Sequence, residues 1–152
     1  MLRTLFSLAA LSILSAAIYA QAPLGLPAGL VNVDCQPQSK QVPIVMIHGT
    51  FASTRRAFSS LAPTLKADGH CLFALNYGRQ NAFSFYGTMD INKSAQQISE
   101  FVQSVLARTG AEKVTLIGHS QGGLLAFKVA RLPELSGRID RLVALAPSLH
   151  GT

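Results

Sequence analysis

The sequence is poor in charge, and this scarcity excludes two classes of protein. Only 13% of its 152 residues are Asp, Glu, Lys or Arg, whereas 49% are hydrophobic. A disordered chain has the opposite balance. Despite a formal charge of +6, no basic run is longer than Arg55-Arg56, and a nucleic-acid interface would need a basic cluster. We therefore expect a packed globular protein with a mildly basic surface and no nucleic-acid partner.

Long hydrophobic segments are also scarce, and the one candidate lies at the N-terminus. Arg3 is the single charge among the first twenty residues, and an apolar stretch follows over residues 5–18. This stretch is shorter than the roughly 20 residues that a membrane-spanning helix needs, so we expect no integral membrane segment. Its order of charge, apolar run and Tyr19-Ala20 is typical of a secretory signal peptide over residues 1–20. The pattern predicts cleavage after Ala20 and secretion.

Cysteine is limited to Cys35 and Cys71, which form neither a metal-binding pattern nor a Cys-x-x-Cys redox motif. In an oxidising compartment two such thiols are expected to form a disulfide. The alternative that the sequence leaves open is two free, buried cysteines. A bridge would tie the N-terminal segment to the sheet.

After the signal peptide, the chain divides into an N-terminal segment and one domain. Residues 21–42 are rich in Pro, Gly and Gln without a period, which predicts an extended segment. From residue 43 onward, short apolar runs alternate with stretches that have apolar residues at helical spacing. The alternation predicts strands at residues 43–48, 71–75, 114–117 and 142–146.

The intervening stretches predict three helices and one long loop. One helix passes through Phe58, Leu61 and Leu65 and ends at Gly69, and the others cover residues 91–108, capped by Asp90 and stopped by Gly110, and 121–131. Residues 76–88 hold aromatic residues among Gly, Asn and Ser and predict a loop. Continuous apolar strands separated by helices predict an α/β fold, a mostly parallel sheet with helices on both faces.

One predicted strand-to-helix junction carries a catalytic motif. Residues 118–123 read Gly-His-Ser-Gln-Gly-Gly, which contains the Gly-x-Ser-x-Gly nucleophile elbow, where a sharp turn lifts the serine above the sheet edge. The helix N-terminus at this point favours developing negative charge. The place of the motif between a strand and a helix favours this interpretation over a structural turn with an incidental serine. We therefore predict Ser120 as the nucleophile.

A second element, His48-Gly49-Thr50-Phe51, follows the first predicted strand. Attack on a carbonyl places negative charge on its oxygen, and such hydrolases stabilise that charge with two backbone N–H groups. One comes from the residue after the nucleophile and one from the loop after this strand. The predicted oxyanion-hole donors are the amides of Thr50 and Gln121, with Phe51 as the alternative if the loop is shifted by one residue. We expect His48 to fix the loop by hydrogen bonding.

Four ordered blocks resemble a known family. Residues 43–51, 71–78, 118–123 and 145–152 look like the secreted bacterial triacylglycerol lipases sometimes called class 2 lipases. The resemblance implies an α/β-hydrolase fold, ester or triglyceride substrates met at a lipid–water interface, and neither a cofactor nor a metal. It also supports the bridge between Cys35 and Cys71, because related lipases have cysteines at both places.

The chain departs from the family's pattern after Ser120. The family's order of serine, acid and histidine requires an acid and a histidine from later loops, and the candidates are Glu134, Asp140 and His150. Asp140 is expected before the fourth strand, at the sheet edge opposite Ser120. His150 falls in a block where the family's histidine is not the general base, although it could serve as a makeshift one. We therefore expect residues 43–152 to be a partial α/β-hydrolase domain without its C-terminal strands, truncated and nearly inactive.

Three functions fit these patterns. The first is a lipase or esterase, whose acyl site or lid would include Phe83, Phe85 and Tyr86 unless these residues only pack their own loop. The second is another α/β-hydrolase activity, such as that of an acyltransferase or thioesterase, because the fold and the elbow do not fix the leaving group. The third is a non-catalytic fragment that binds lipid or a partner.

Overall fold

A parallel four-stranded sheet lies at the centre of the part of the chain that the structure describes. The structure is a computed structural model, and it describes residues 30–33 and 42–150. The strands are β1 (Ile44–Ile47), β2 (Leu72–Ala74), β3 (Val114–His119) and β4 (Ile139–Leu145). They lie in the order β2-β1-β3-β4, and every neighbouring pair is parallel. The predicted signal peptide, its cleavage site at Ala20 and Cys35 lie outside the described residues, so these features stay predictions.

Helices cover both faces of the sheet, as the sequence predicts. They are α1 (Thr54–Phe58), α2 (Leu61–Ala67), α3 (Ile91–Thr109) and α4 (Gln121–Val129), with a short 3-10 helix at Pro133–Leu135. Helices α1 and α2 pack on the face that carries Ile44 and Met46, and α3 and α4 pack on the opposite face. Strands β1 and β2 are buried along their whole length, which explains their continuous apolar sequence.

The termini of α3 are set by the residues that the sequence predicts. The Asp90 side chain accepts hydrogen bonds from the amides of Asn92 and Lys93 at 2.9 and 3.0 Å. At the other end Gly110 adopts a left-handed conformation with φ 67° and donates its amide to the Leu106 carbonyl. Both ends are local signals, and both predictions are confirmed.

The helix predicted through Phe58, Leu61 and Leu65 is wrong, because the structure has two helices there. The break falls at Ser59 and Ser60, between α1 and α2. In one continuous helix Pro63 could not donate to the Ser59 carbonyl, and its ring would collide with that carbonyl. Starting a new helix at Leu61 places the proline in the first turn, where its missing amide hydrogen costs nothing.

The fourth strand also differs from the prediction, because it begins at Ile139 and contains Asp140. The polar pair Asp140-Arg141 interrupts the apolar run at the start of this strand. Both side chains are exposed at the edge of the described sheet, so the strand does not need apolar residues there. Since Ile139 pairs with Val114 at the start of β3, Asp140 still lies at the sheet edge opposite Ser120. Further along β4, Val143 and Leu145 are 41% and 39% exposed.

Candidate active site

Ser120 forms the corner between β3 and α4. Its φ of 55° and ψ of −126° are unusual for a residue with a side chain and cost about 1–3 kcal/mol. Two backbone bonds hold the corner: the Ser120 amide donates to the Leu145 carbonyl, and the Gly123 amide donates to the Ser120 carbonyl, both at 2.9 Å. The residue is half-buried, at the carboxyl end of the strands. The structure thus places the predicted nucleophile at a strained corner outside the core.

Glycines on either side of Ser120 allow this corner to close. A Cβ atom on Gly118 would collide with the carbonyl of Gly122, one turn into α4. A Cβ atom on Gly122 would in turn collide with the carbonyls of Ile47 and His48 at the end of β1. Both side chains must therefore be hydrogen atoms for α4 to start directly against the sheet.

The loop after β1 packs against the serine. A Cβ atom on Gly49 would lie 2.9 Å from the Ser120 Cβ and 3.3 Å from its Oγ. On the far side of this loop, a Cβ atom on Gly87 would lie 3.1 Å from the Thr50 Cα and 3.3 Å from the Gln121 Oε1. The residues that carry the two predicted oxyanion-hole donors are therefore both neighbours of Gly87.

The backbone hydrogen bonds distinguish the two candidate amides of this loop. The Phe51 amide donates to the Tyr86 carbonyl at 3.0 Å, and the Ala52 amide donates back to Gly49 at 3.3 Å to close a tight turn. Within residues 30–33 and 42–150, neither the Thr50 amide nor the Gln121 amide donates a hydrogen bond. The alternative donor Phe51 is therefore engaged, whereas the amides of Thr50 and Gln121 are available.

His48 is fully buried behind the loop and makes no hydrogen bond to Ser120. Its Nδ1 donates to the Gly49 carbonyl at 2.9 Å, and its Nε2 accepts from the Tyr77 amide at 3.3 Å. Burial, opposed by the bond to Gly49, lowers the pKa of His48 to about 4. A neutral ring with its hydrogen on Nδ1 satisfies both bonds. The geometry agrees with the expectation that His48 fixes the loop.

Tyr77 is a contributor that the sequence did not single out. Its hydroxyl donates to the His48 carbonyl at 2.6 Å and lies 3.3 Å from the Gln121 Oε1, and its ring stacks on the His48 ring at 4.3 Å. Burial raises the pKa of this phenol above its usual range. The position of Tyr77 after β2, at the carboxyl edge of the sheet, could have indicated that it lies near the site. Its partners could not be predicted, because they depend on the order of the strands.

An aromatic surface lies beside Thr50. Phe51 and Phe85 are 65% and 67% exposed, and their rings meet edge to face at 5.9 Å, while Phe83 is 98% exposed. The Arg79 guanidinium holds this loop by donating to the carbonyls of Ala82 and Ser84. It also stacks over the half-buried Tyr86 ring at 4.8 Å. Phe83 and Phe85 therefore face solvent, whereas Tyr86 packs within the loop.

No described residue hydrogen-bonds to the Ser120 hydroxyl. His150 is exposed and forms no bond to Ser120, and the Glu134 carboxylate accepts from the Ser99 hydroxyl instead. In the same part of the chain, no three His, Cys, Asp or Glu side chains are grouped so that they could hold a metal ion. Nor is any helix among these residues both long and apolar enough to span a bilayer.

Comparisons with known proteins identify close similarity to one family. Residues 41–151 match the family model described as Lipase (class 2). A triacylglycerol lipase of Pseudarthrobacter phenanthrenivorans is 33% identical over 106 residues, which cover 66% of this chain and 32% of that protein. A triacylglycerol lipase of Vibrio cholerae is 32% identical over 140 residues, which cover 89% of this chain and 41% of that protein. The chain thus spans less than half the length of these curated relatives.

Solved structures show the same fold. The crystal structure of a Bacillus licheniformis lipase in its mature form gives a TM-score of 0.63 at 19% identity, covering 76% of this chain and 44% of that chain. An extracellular α/β-hydrolase from a Paenibacillus species gives a TM-score of 0.54 at 21% identity, covering 70% and 40%. With the parallel sheet and its two helical layers, these similarities show part of an α/β-hydrolase fold.

Proposed function

The chain belongs to the class 2 lipase family, and from this we propose that it is a carboxylic-ester hydrolase, a triacylglycerol lipase or esterase, with Ser120 as its nucleophile. The observation that carries the proposal is the position of Ser120. Its backbone is strained at the strand-to-helix corner, and the Gly49-Thr50 loop packs directly against it. Strained backbone of this kind clusters at active sites and ligand clamps.

The proposed reaction begins when the Ser120 Oγ attacks the carbonyl carbon of an ester. The carbonyl electrons move to its oxygen, and the amides of Thr50 and Gln121 donate hydrogen bonds to that oxyanion. The ester C–O bond then breaks, and the alcohol leaves with the proton that the Ser120 hydroxyl gives up. Water next cleaves the acyl group from Ser120, which releases the carboxylic acid and restores the hydroxyl. The N-terminus of α4 stabilises the same negative charge.

Proton transfer limits the activity that we propose for this chain. A serine hydroxyl is a weak nucleophile until a base takes its proton, and no described residue contacts it for that purpose. Without a base, attack by Ser120 is accelerated mainly by oxyanion stabilisation and by binding of the substrate. We therefore propose very low turnover, visible mainly with esters of good leaving groups.

The proposed substrates are apolar esters presented at a lipid–water interface. Phe51 and Phe85 form an exposed aromatic pair next to Thr50, so an acyl chain could lie on them while its carbonyl reaches Ser120. The same exposed rings would favour adsorption to lipid. Secretion, predicted from residues 1–20, fits a substrate found outside the cell.

A p-nitrophenyl ester series with acyl chains of increasing length tests the proposal. The full chain should release p-nitrophenol faster than its Ser120→Ala variant, and a fluorophosphonate should add to Ser120, detected by peptide mass spectrometry. Preference for long acyl chains would favour a lipase and preference for short, soluble ones an esterase. Equal rates for the two proteins, with no labelling of folded chain, would contradict catalysis and favour the non-catalytic, lipid-binding alternative.

A further inference from the structure

We propose that Tyr77 is a positioning residue for the oxyanion hole, because its hydroxyl joins the two chain segments that carry the donor amides. This inference rests on the proposed function, since it concerns the geometry around the oxygen that Thr50 and Gln121 would stabilise. The family assignment and the strand-to-helix corner do not by themselves require such a link.

The link runs through one phenolic hydroxyl. It donates to the His48 carbonyl at 2.6 Å, two residues before Thr50, and it lies 3.3 Å from the Gln121 Oε1. Because a phenol carries one hydrogen, the shorter bond takes it, and the Gln121 side chain completes the surroundings of the oxygen. A half-turn of the Gln121 amide would let its NH2 group donate to the phenol oxygen. The hydroxyl thus contacts the end of β1 and the start of α4 together.

The backbone of Tyr77 fixes where this hydroxyl lies. Its amide donates to the His48 Nε2 at 3.3 Å, and its carbonyl accepts from the Gly87 amide at 2.9 Å. The ring is buried and lies nearly parallel to the His48 ring, at 15°. These contacts remain when only the hydroxyl is removed, so Tyr77→Phe isolates the link from the packing of the ring.

Removal of the hydroxyl leaves the buried His48 carbonyl without this donor and uncouples the loop from α4. Oxyanion stabilisation depends on donors held in place before charge develops, and small displacements of reacting groups reduce rates strongly. The two amides would still be present but less well placed. The loss should therefore appear in kcat, where charge develops, and little in KM.

The test compares Tyr77→Phe with Thr54→Val in the full chain, using p-nitrophenyl butyrate and Ser120→Ala as the blank. Thr54 is a matched control because its buried hydroxyl also donates to a loop carbonyl, that of Leu75 at 3.0 Å, yet forms no hydrogen bond with either donor segment in the described part of the chain. We expect Tyr77→Phe to lower the Ser120-dependent kcat about 10- to 100-fold, with KM changed less than about twofold. Thr54→Val should keep the kcat of the unmodified chain per folded molecule.

Several outcomes would overturn the inference. The inference is wrong if Tyr77→Phe keeps its kcat while Ser120→Ala abolishes activity. It is also wrong if Thr54→Val loses as much kcat as Tyr77→Phe. Should Tyr77→Phe fail to fold, judged by circular dichroism, Gln121→Leu decides instead. It keeps the backbone N–H of residue 121 and removes the side-chain oxygen that contacts the Tyr77 hydroxyl. A lower kcat at constant KM supports the link, and an unchanged kcat overturns it. If Ser120→Ala matches the unmodified chain, the proposed function fails and this inference fails with it.

Discussion

Gly49 and Ser120 are in direct contact, so closely that a Cβ atom on Gly49 would lie 2.9 Å from the Ser120 Cβ. The same atom would lie 3.3 Å from the Ser120 Oγ, the proposed attacking atom. The loop that carries the Thr50 amide can therefore reach the serine only because residue 49 has no side chain. This contact ties the conformation of the loop to the chemistry proposed at Ser120.

Gly49→Ala should consequently lower the Ser120-dependent rate about 10- to 100-fold. The added methyl group would push the loop away from the serine and displace the Thr50 amide. The measurement is p-nitrophenyl ester hydrolysis after subtraction of the Ser120→Ala rate. Gly137→Ala is the control, because nothing lies within 4 Å of its Cβ position, so it should affect stability alone. A Gly49→Ala rate equal to that of the unmodified chain would show that the loop contact does not matter for reaction.

Gly122→Ala should destabilise the fold rather than only the reaction. Its Cβ atom would collide with the carbonyls of Ile47 and His48, and backbone atoms cannot rotate away as a side chain can. We expect a loss of about 3 kcal/mol or more in the free energy of unfolding, measured by urea titration.

Gly69→Ala provides the comparison for Gly122→Ala. Gly69 has φ 85° with nothing within 4 Å of its Cβ position, so alanine there meets only backbone strain. That strain costs about 1–2 kcal/mol. Equal losses of unfolding free energy in the two variants would contradict the expected collision of the methyl group added at residue 122 with the end of β1.

Local patterns were sufficient to predict the α/β fold and the position of Ser120 at a strand-to-helix corner. The cap at Asp90, the stop at Gly110 and the glycines of the elbow act on their own neighbours in sequence, and each is found where it was expected. The strands of the buried sheet are continuous apolar runs, because a parallel sheet is covered on both faces. One local signal was missed: Pro63 separates α1 from α2, where the spacing of apolar residues predicted a single helix.

Features that depend on distant residues could not be predicted in this way. The link between Tyr77 and Gln121 spans 44 residues and exists because β2 and β3 flank β1 in the sheet. Likewise, the Phe51 amide is engaged by the Tyr86 carbonyl, which lies in a loop whose course the sequence did not define. Polar Asp140 hid the start of β4 because an exposed strand does not need an apolar run.

The predicted disulfide between Cys35 and Cys71 can be tested by counting thiols. Cys71 is buried, and Cys35 lies outside the described residues, so the chain must be unfolded in guanidinium before alkylation. We expect no alkylation without reductant and two alkylated cysteines after reduction. Reduction should also lower the free energy of unfolding by about 3–4 kcal/mol, as expected for a loop of this length. Alkylation of both cysteines in unreduced protein would instead support two free thiols.

The free energy of unfolding should decrease as pH is lowered through a window set by His48. Burial lowers the pKa of His48 to about 4, whereas the unfolded chain has the ordinary value of 6.5. Between these values the unfolded state binds more protons than the folded state, so the free energy of unfolding decreases as pH falls. The shift in pKa corresponds to about 3 kcal/mol of stability, which is lost progressively as pH falls from 6.5 to 4. Below pH 4 the contribution of His48 no longer changes. Urea titrations at several pH values measure this slope.

His48→Asn separates this contribution from that of the carboxyl groups. The variant should be less stable at pH 7, because it lacks the bonds of His48 to Gly49 and Tyr77. Asparagine does not titrate, so the free energy of unfolding of the variant should change less between pH 6.5 and pH 4 than that of the unmodified chain. Because the carboxyl groups are the same in both proteins, the difference between the two slopes belongs to His48. Parallel slopes would mean that His48 takes up its proton as easily in the folded chain as in the unfolded one, which would contradict a neutral, buried ring behind the loop of Gly49 and Thr50.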